Sequence, residues 1–453
     1  MQTANLQTGV DRGEIPQSID RGDAWMSLIQ LRLCAMFAGF CITAAAGGGE
    51  PLAADKDWDN FRGPGRQGVS TITDLPLEWS PQKNLAWKTA LPGAGASSPI
   101  VSGNRVLLTC YSGYLVPGQE QGRQADLQRH LIFIDKATGR ITRQIDVAAK
   151  LPEEERIREH GFAASSPATD GELICCFFGK SGVIAWDFSG RQIWQTDVGS
   201  GTHGWGSAAS PVFHGDLVFI NASVESQSLV ALDRKTGREV WRAGEIREAW
   251  NTPLVVRNSA GNEELVIGTL GTIRSYDPLT GELLWTCATD IQWYMVPSPV
   301  AHDGVIYYLG GRSGTASLAV RCGGRGDVTQ THRLWTSQRG SNVSSPVFHD
   351  GCLYWIHDSR QTAYCMDAAT GELIYEERVN RAGQVYSSAL LADDRIYYLT
   401  RTGRTVVVPA TKEFRILADN DLNDGTLFNG SPAVDGRRLL IRSDKWLYCL
   451  QTE

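Results

Sequence analysis

Aromatic and amide side chains recur at one position of a repeating unit in this 453-residue chain. They are Phe162, Trp205, Trp250-Asn251, Trp293-Tyr294, Asn342, Tyr386 and Phe428-Asn429, and His160 and His203 stand beside the first two. Rings offer flat apolar faces for stacking, while amides and imidazoles place hydrogen-bond donors and acceptors. Gathered on one concave face, such a set binds a ligand or a peptide. Trp205, Trp250 and Trp293 would then be the stacking surfaces, with His160 and His203 as hydrogen-bonding groups. The alternative is that these side chains only fill the mouth of a central channel. No catalytic residue is assigned. The chain has no Gly-x-Ser-x-Gly elbow, no phosphate-binding glycine loop and no paired-histidine metal motif.

Other residues invite chemistry and have plainer readings. Cys175-Cys176 is either a strained vicinal disulfide or two buried thiols, and its setting, Leu173-Ile174-Cys175-Cys176-Phe177-Phe178, favours thiols on opposite faces of a strand. The spacing of Cys110, Cys175, Cys176, Cys287, Cys322, Cys352, Cys365 and Cys449 matches no zinc pattern. Asp419-Asn420-Asp421-Leu422-Asn423-Asp424-Gly425 looks like a calcium loop, but its Gly falls one place late and Gly430 stands where an EF-hand needs Glu. It is read as a polar loop, and no metal site is predicted. His214, His302 and His349 sit in turns and are read as solvated.

The elements that position the aromatic set are legible in two landmarks. The first is Asp-x-x-Thr-Gly followed by a strand ending in Trp, as in Asp233-Arg234-Lys235-Thr236-Gly237-Arg238-Glu239-Val240-Trp241. It returns at Asp277 with Trp285 and at Asp367 with Tyr375, and earlier at Asp135 and, one residue shorter, at Asp187. The Asp caps a tight turn and the Gly supplies its positive φ. The second landmark is Ser-Pro opening a strand, at Ser98, Ser166, Ser210, Ser298, Ser345 and Ser431, with degenerate copies at Thr252-Pro253 and Ser388-Ala389. From Pro167 onward these recur every 42 to 47 residues, a period of short strands that means a propeller. Eight landmarks predict eight four-stranded antiparallel blades. The larger step from Pro99 to Pro167 places an insertion between Tyr111 and Arg129. The last unit has only three strands, so the strand within residues 84–91, ending its pattern at Trp87, is expected to complete blade 8 and close the ring. Trp194, Trp241, Trp285 and Trp335, with Trp87, are expected to pack between blades.

Composition bounds the rest. Hydrophobic residues make up 42% and the net charge is −7 without a basic stripe, which excludes a nucleic-acid partner. Residues 1–54 are set apart as an N-terminal extension with a signal peptide, whose apolar run from Leu28 ends in small residues at Ala46. Residues 55–453 form one propeller domain. The mature chain is expected to be exported to the periplasm or cell envelope, without a transmembrane helix.

The Asp-x-x-Thr-Gly-x-x-x-Trp repeat resembles that of the pyrroloquinoline-quinone (PQQ) type of propeller, from about Trp58 to the C-terminus. Trp58-Asp59-Asn60-Phe61-Arg62-Gly63-Pro64 and Ser443-Asp444-Lys445-Trp446-Leu447-Tyr448-Cys449-Leu450 resemble an exported PQQ-like group. The resemblance implies two functions. Quinoprotein alcohol dehydrogenases hold PQQ and calcium over the channel, with an aspartate base, and oxidise an alcohol or sugar. The propeller subunit of the outer-membrane barrel-assembly machine uses the fold as a scaffold without a cofactor. The dehydrogenases' calcium-ligand and base motifs have no residue-by-residue match here. The expectation is therefore a non-catalytic module, without a cofactor, that binds an envelope protein or small ligand at the channel face. The PQQ/calcium dehydrogenase is the alternative.

Overall fold

Runs such as Leu217–Ala222, apolar but for Asn221 and buried throughout, are strands covered on both faces, whereas Glu239–Ala243 buries only Trp241 and belongs at a solvated edge. The computed structural model, which describes residues 57–381 and 383–452, arranges such strands into eight sheets. The predicted signal peptide lies outside the described residues. Blade 1 is Ile100–Ser102, Arg105–Ser112, Gln128–Asp135 and Ile141–Ala148, and each later blade repeats this antiparallel order from inside to outside. Blade 8 takes Ala433–Asp435, Arg438–Arg442 and Trp446–Gln451 from the C-terminus and Leu85–Ala90 from the N-terminal side. Trp87 lies opposite Cys449 and Thr89 opposite Leu447, so the ring closes as the strand count predicts.

The recurrent turn has the expected chemistry. Asp233 Oδ1 accepts from the Thr236 N–H at 2.9 Å and the Thr236 hydroxyl at 2.7 Å, and Gly237 sits at φ 70°. The core is a ring of layers between neighbouring sheets. Cys176 packs with Leu107 and Phe133 in the layer between blades 1 and 2, while Cys175 packs with Val218 and Ile220 between blades 2 and 3. The two thiols therefore face opposite ways, and all eight described cysteines are buried and unbridged.

Four of the five tryptophans dock onto the next blade. Trp87, Trp194, Trp241 and Trp335 donate Nε1–H to the carbonyls of Lys136, Arg234, Pro278 and Ala368, at 2.8–3.1 Å. Trp285 is the exception. Blade 5 has no such turn, and this indole donates instead to the buried Glu264 Oε2 at 2.6 Å within its own blade. In place of the turn, Gly326–Asp327 adds a fifth, parallel strand to blade 4, which the repeat pattern gave no sign of. The insertion of blade 1 lies at residues 113–127, inside the predicted bounds, but a long connection at 149–167 shares the extra length.

Candidate functional site

The inner strands run between two ends of the channel. Two residues before each of them stands the Ser of the Ser-Pro pair or its degenerate copy, and these residues form a girdle. The backbone N–H of Ser98 donates to Ser166 Oγ at 2.8 Å, Ser166 to Ser210, Ser210 to Thr252, Thr252 to Ser298 and Ser298 to Ser345. Ser388 donates to Ser431 and Ser431 to Ser98, returning to the start. Between blades 6 and 7 the link is the Ala389 N–H to the Ser345 carbonyl, at 3.3 Å. The sequence landmark thus carries two tasks. Pro opens the strand without a donor, and Ser ties one blade to the next.

Beyond the girdle, the segment from Trp58 to Ser70 closes one end of the channel. Trp58 O accepts from Val101, Asp59 O from Thr169, and Gly68 O from Leu391. Arg66 reaches the Phe213 carbonyl at 2.6 Å, and Gln67 Oε1 accepts from Ala301. Arg62 is buried and donates to the carbonyls of Gln67, Pro346 and Ser298. Burial without a carboxylate partner pulls its pKa down to about 9. One short segment so bonds to six of the eight blades, which gives the Asn-Phe-Arg-Gly-Pro motif a physical meaning as a stopper. No periodic pattern in the sequence marks that placement.

The other end is open, and above the stopper lies a blind well of about 160 Å³. Phe61 and the girdle hydroxyls form its lower wall. Seven of the predicted site residues line it, namely His160, Trp205, Trp250, Tyr294, Asn342, Tyr386 and Asn429. Each comes from the connection before a different inner strand, those of blades 2 to 8. Tyr294 gathers the rings, with Trp250 at 5.5 Å and Trp205 at 6.2 Å between centroids.

Four predicted residues stand behind this wall. Asn251 is fully buried and its amide holds Gly268 through both backbone groups, at 2.7 and 3.2 Å, so it braces the loop. Phe162 is buried against Tyr111 and Tyr114. His203 packs on Trp250 at 5.0 Å and accepts the Trp205 N–H. Trp293 packs at a tilt against Tyr294, 5.1 Å between centroids, and under the Arg312 guanidinium, 4.9 Å away. Periodicity placed these residues in the right loops but cannot say which side chains turn inward.

Three groups at the site escaped the sequence reading. Asp358 lines the well, and its Oδ1 accepts from the Asn342 N–H at 2.9 Å. Arg312 brings the opposite charge to the lining. Arg401, buried, holds the His160 loop in place: it pairs with Glu159 at 2.8 Å, donates to Asn429 Oδ1 at 3.0 Å and lies 4.2 Å over the Tyr386 ring. Each falls after the second strand of its blade, outside the segment that the repeat singles out.

His160 Nε2 is buried and has no hydrogen-bond partner. Burial lowers its pKa to about 4, so the imidazole is neutral at pH 7. Its folded pKa lies below its unfolded one. Its contribution to stability is thus complete above about pH 6.5 and is lost as the pH falls toward 4. Glu225, raised to about 7 by burial, acts in the opposite direction over its own window. We expect His160→Gln to lose less melting temperature than the natural protein between pH 7 and 4.5. The difference between the two proteins isolates the imidazole, and parallel curves would contradict it.

The donor set is not that of a calcium-held quinone. Asp358 is the only carboxylate among the lining residues and already serves backbone and hydroxyl donors. Among the described residues no three His, Cys, Asp or Glu side chains converge as metal ligands. Cys175 and Cys176 are packed between blades, away from the well. The calcium-like segment is not all loop: Ala418–Asp421 is the outer strand of blade 7, where Asp419 pairs with Arg404, and Asp424 beyond it accepts from Ser443 and Tyr448.

A family model described as outer membrane protein assembly factor BamB, of the PQQ_2 repeat type, matches residues 128–377. The chain belongs to this family. BamB from Moraxella catarrhalis is similar at 15% identity, over 82% of this chain and 97% of that one, with a TM-score of 0.57. A europium-containing methanol dehydrogenase is similar at 12% identity, over 87% and 98%, with a TM-score of 0.63. Quinohemoprotein alcohol dehydrogenase from Comamonas testosteroni gives 13%, 88% and 81%, and 0.61. At these identities the likeness is one of fold. Comparison with curated proteins finds no match. No helix among the described residues is long and apolar enough to cross a membrane.

Proposed function

We propose that this BamB-family propeller is an exported, non-catalytic binding module that takes a small ligand or an envelope protein at its open channel face. The observation that carries this reading is the blind well, stoppered by Trp58–Ser70 and walled by Trp205, Trp250, Tyr294 and Tyr386. Such a concave aromatic wall with a few fixed polar groups suits recognition. It lacks a nucleophile beside a base and a cluster of metal ligands, the two arrangements that would turn recognition into catalysis. Membership in the BamB family supports a protein partner in the envelope.

The dehydrogenase reading draws on the fold shared with the alcohol and methanol dehydrogenases. The lining weighs against it, because one engaged carboxylate cannot both hold calcium and act as base. No step through PQQ is derived. Reconstitution decides between the two. With PQQ and calcium added, we expect no quinone absorbance retained after gel filtration, no thermal shift, and no dye reduction with alcohols or sugars. Retained quinone with substrate-dependent dye reduction would overturn the proposal.

A further inference from the structure

We infer that the well takes the terminal ring of a neutral saccharide. The inference rests on the reading of the open channel face as a binding site and names the chemistry that this site recognises.

Size comes first. A closed cavity of about 150 Å³ holds one benzene ring, and this well measures about 160 Å³. It therefore admits one six-membered ring. Its lower end is stopped by Phe61, so an extended peptide or polymer cannot thread through the channel, and only an end group can enter.

Charge comes next. Arg312 and Asp358 contribute one charge of each sign to the lining. An anion would meet Asp358, and a cation would meet Arg312. Neither sign of ligand is favoured, so a neutral one fits best.

Hydrogen bonding then selects among neutral rings. Two lining atoms are buried without a partner, His160 Nε2 and Asn342 Oδ1. A buried polar atom left without a partner is costly, so such atoms point to something that satisfies them. Below them, each girdle hydroxyl that accepts a backbone N–H still carries a proton of its own, with no protein acceptor among the described residues. The lining thus offers donors and acceptors around the whole circumference, beside aromatic faces. An apolar ring would strand these groups. A pyranose presents hydroxyls around its equator and C–H bonds on its faces, which matches both sets at once.

The test uses the full chain and the methyl glycosides of glucose, galactose, mannose and N-acetylglucosamine, followed by quenching of tryptophan fluorescence. Saturable quenching by at least one glycoside is expected. Asn342→Ala removes a side-chain oxygen that has no protein partner, and Asp358→Asn keeps its acceptor for the Asn342 N–H. Both should therefore keep the melting temperature while weakening the glycoside about tenfold or more. No quenching by any of the four up to about 0.1 M would overturn the inference. So would quenching that both variants leave unchanged. A peptide that binds at the well where no glycoside does would sink the saccharide and leave the binding face standing. Substrate-dependent dye reduction, read separately, would sink the binding-module proposal itself.

Discussion

A chain that begins after Lys88 is expected to lose most of its cooperative stability. The deleted segment supplies most of Leu85–Ala90, the outer strand of blade 8, which pairs with Trp446–Gln451 along its length. Without it, the C-terminal strand becomes an edge with a row of unpaired backbone groups. Trp87 goes too, and with it the contact to the Lys136 carbonyl that ties blade 8 to blade 1. The indole alone is worth about 3–5 kcal/mol on truncation. A closed ring has no free end at which to absorb such damage. The midpoint of thermal unfolding should fall by on the order of 10 °C or more, or the chain should aggregate. A second deletion ending at Ser70 removes the stopper and keeps the strand, so it separates the two contributions. It should leave the blades folded at a smaller cost. An unchanged midpoint in the longer deletion would mean that blade 8 closes without this strand.

The accuracy of that strand assignment has a simple origin. Blade architecture is written locally, in residues whose side chains act on their own backbone. Asp233, Thr236 and Gly237 make one turn among themselves, so any copy of the pattern makes the same turn. The missing fourth strand of blade 8 then follows by counting. Trp285 shows where this stops. It has the landmark's spacing, but its usual receptor lies on the next blade, where residues 322–332 replace the turn, and its indole turns to Glu264 instead. The site divides in the same way. Periodicity found the loops that surround the well, since all precede the Ser-Pro step. It could not separate Asn342, which faces the well, from Asn251, which braces Gly268. That choice depends on side-chain direction, which residues from distant blades decide together. Arg401 is the clearest case: its partners Glu159, Gln384 and Asn429 come from three separate stretches of chain.

Replacing Trp241 by Ala should cost about 3–5 kcal/mol by cavity formation, with the well left intact. The ring of Trp241 lies so close over Gly281 that an added Cβ there would come within 2.6 Å of it. Its Nε1–H meets the Pro278 carbonyl at 3.0 Å, so the indole both fills and bonds the seam between blades 3 and 4. Phenylalanine separates these two contributions. At Trp241 it keeps most of the filling and gives up one hydrogen bond, a loss of about 1 kcal/mol. At Trp285 the same change should cost more, although both are tryptophans at the same place in the repeat. There the lost donor leaves Glu264 Oε2, a fully buried carboxylate oxygen, with only the Ser275 hydroxyl at 3.0 Å. Stripping a partner from a buried charge costs about 1–3 kcal/mol or more, beyond the bond itself. Chemical unfolding of the four variants, Trp241→Ala, Trp241→Phe, Trp285→Ala and Trp285→Phe, measures this directly. The expected result is a small gap between Phe and the natural residue at Trp241 and a larger one at Trp285. Equal gaps would mean that Glu264 finds another donor, and the exceptional course of blade 5 would then carry no energetic consequence.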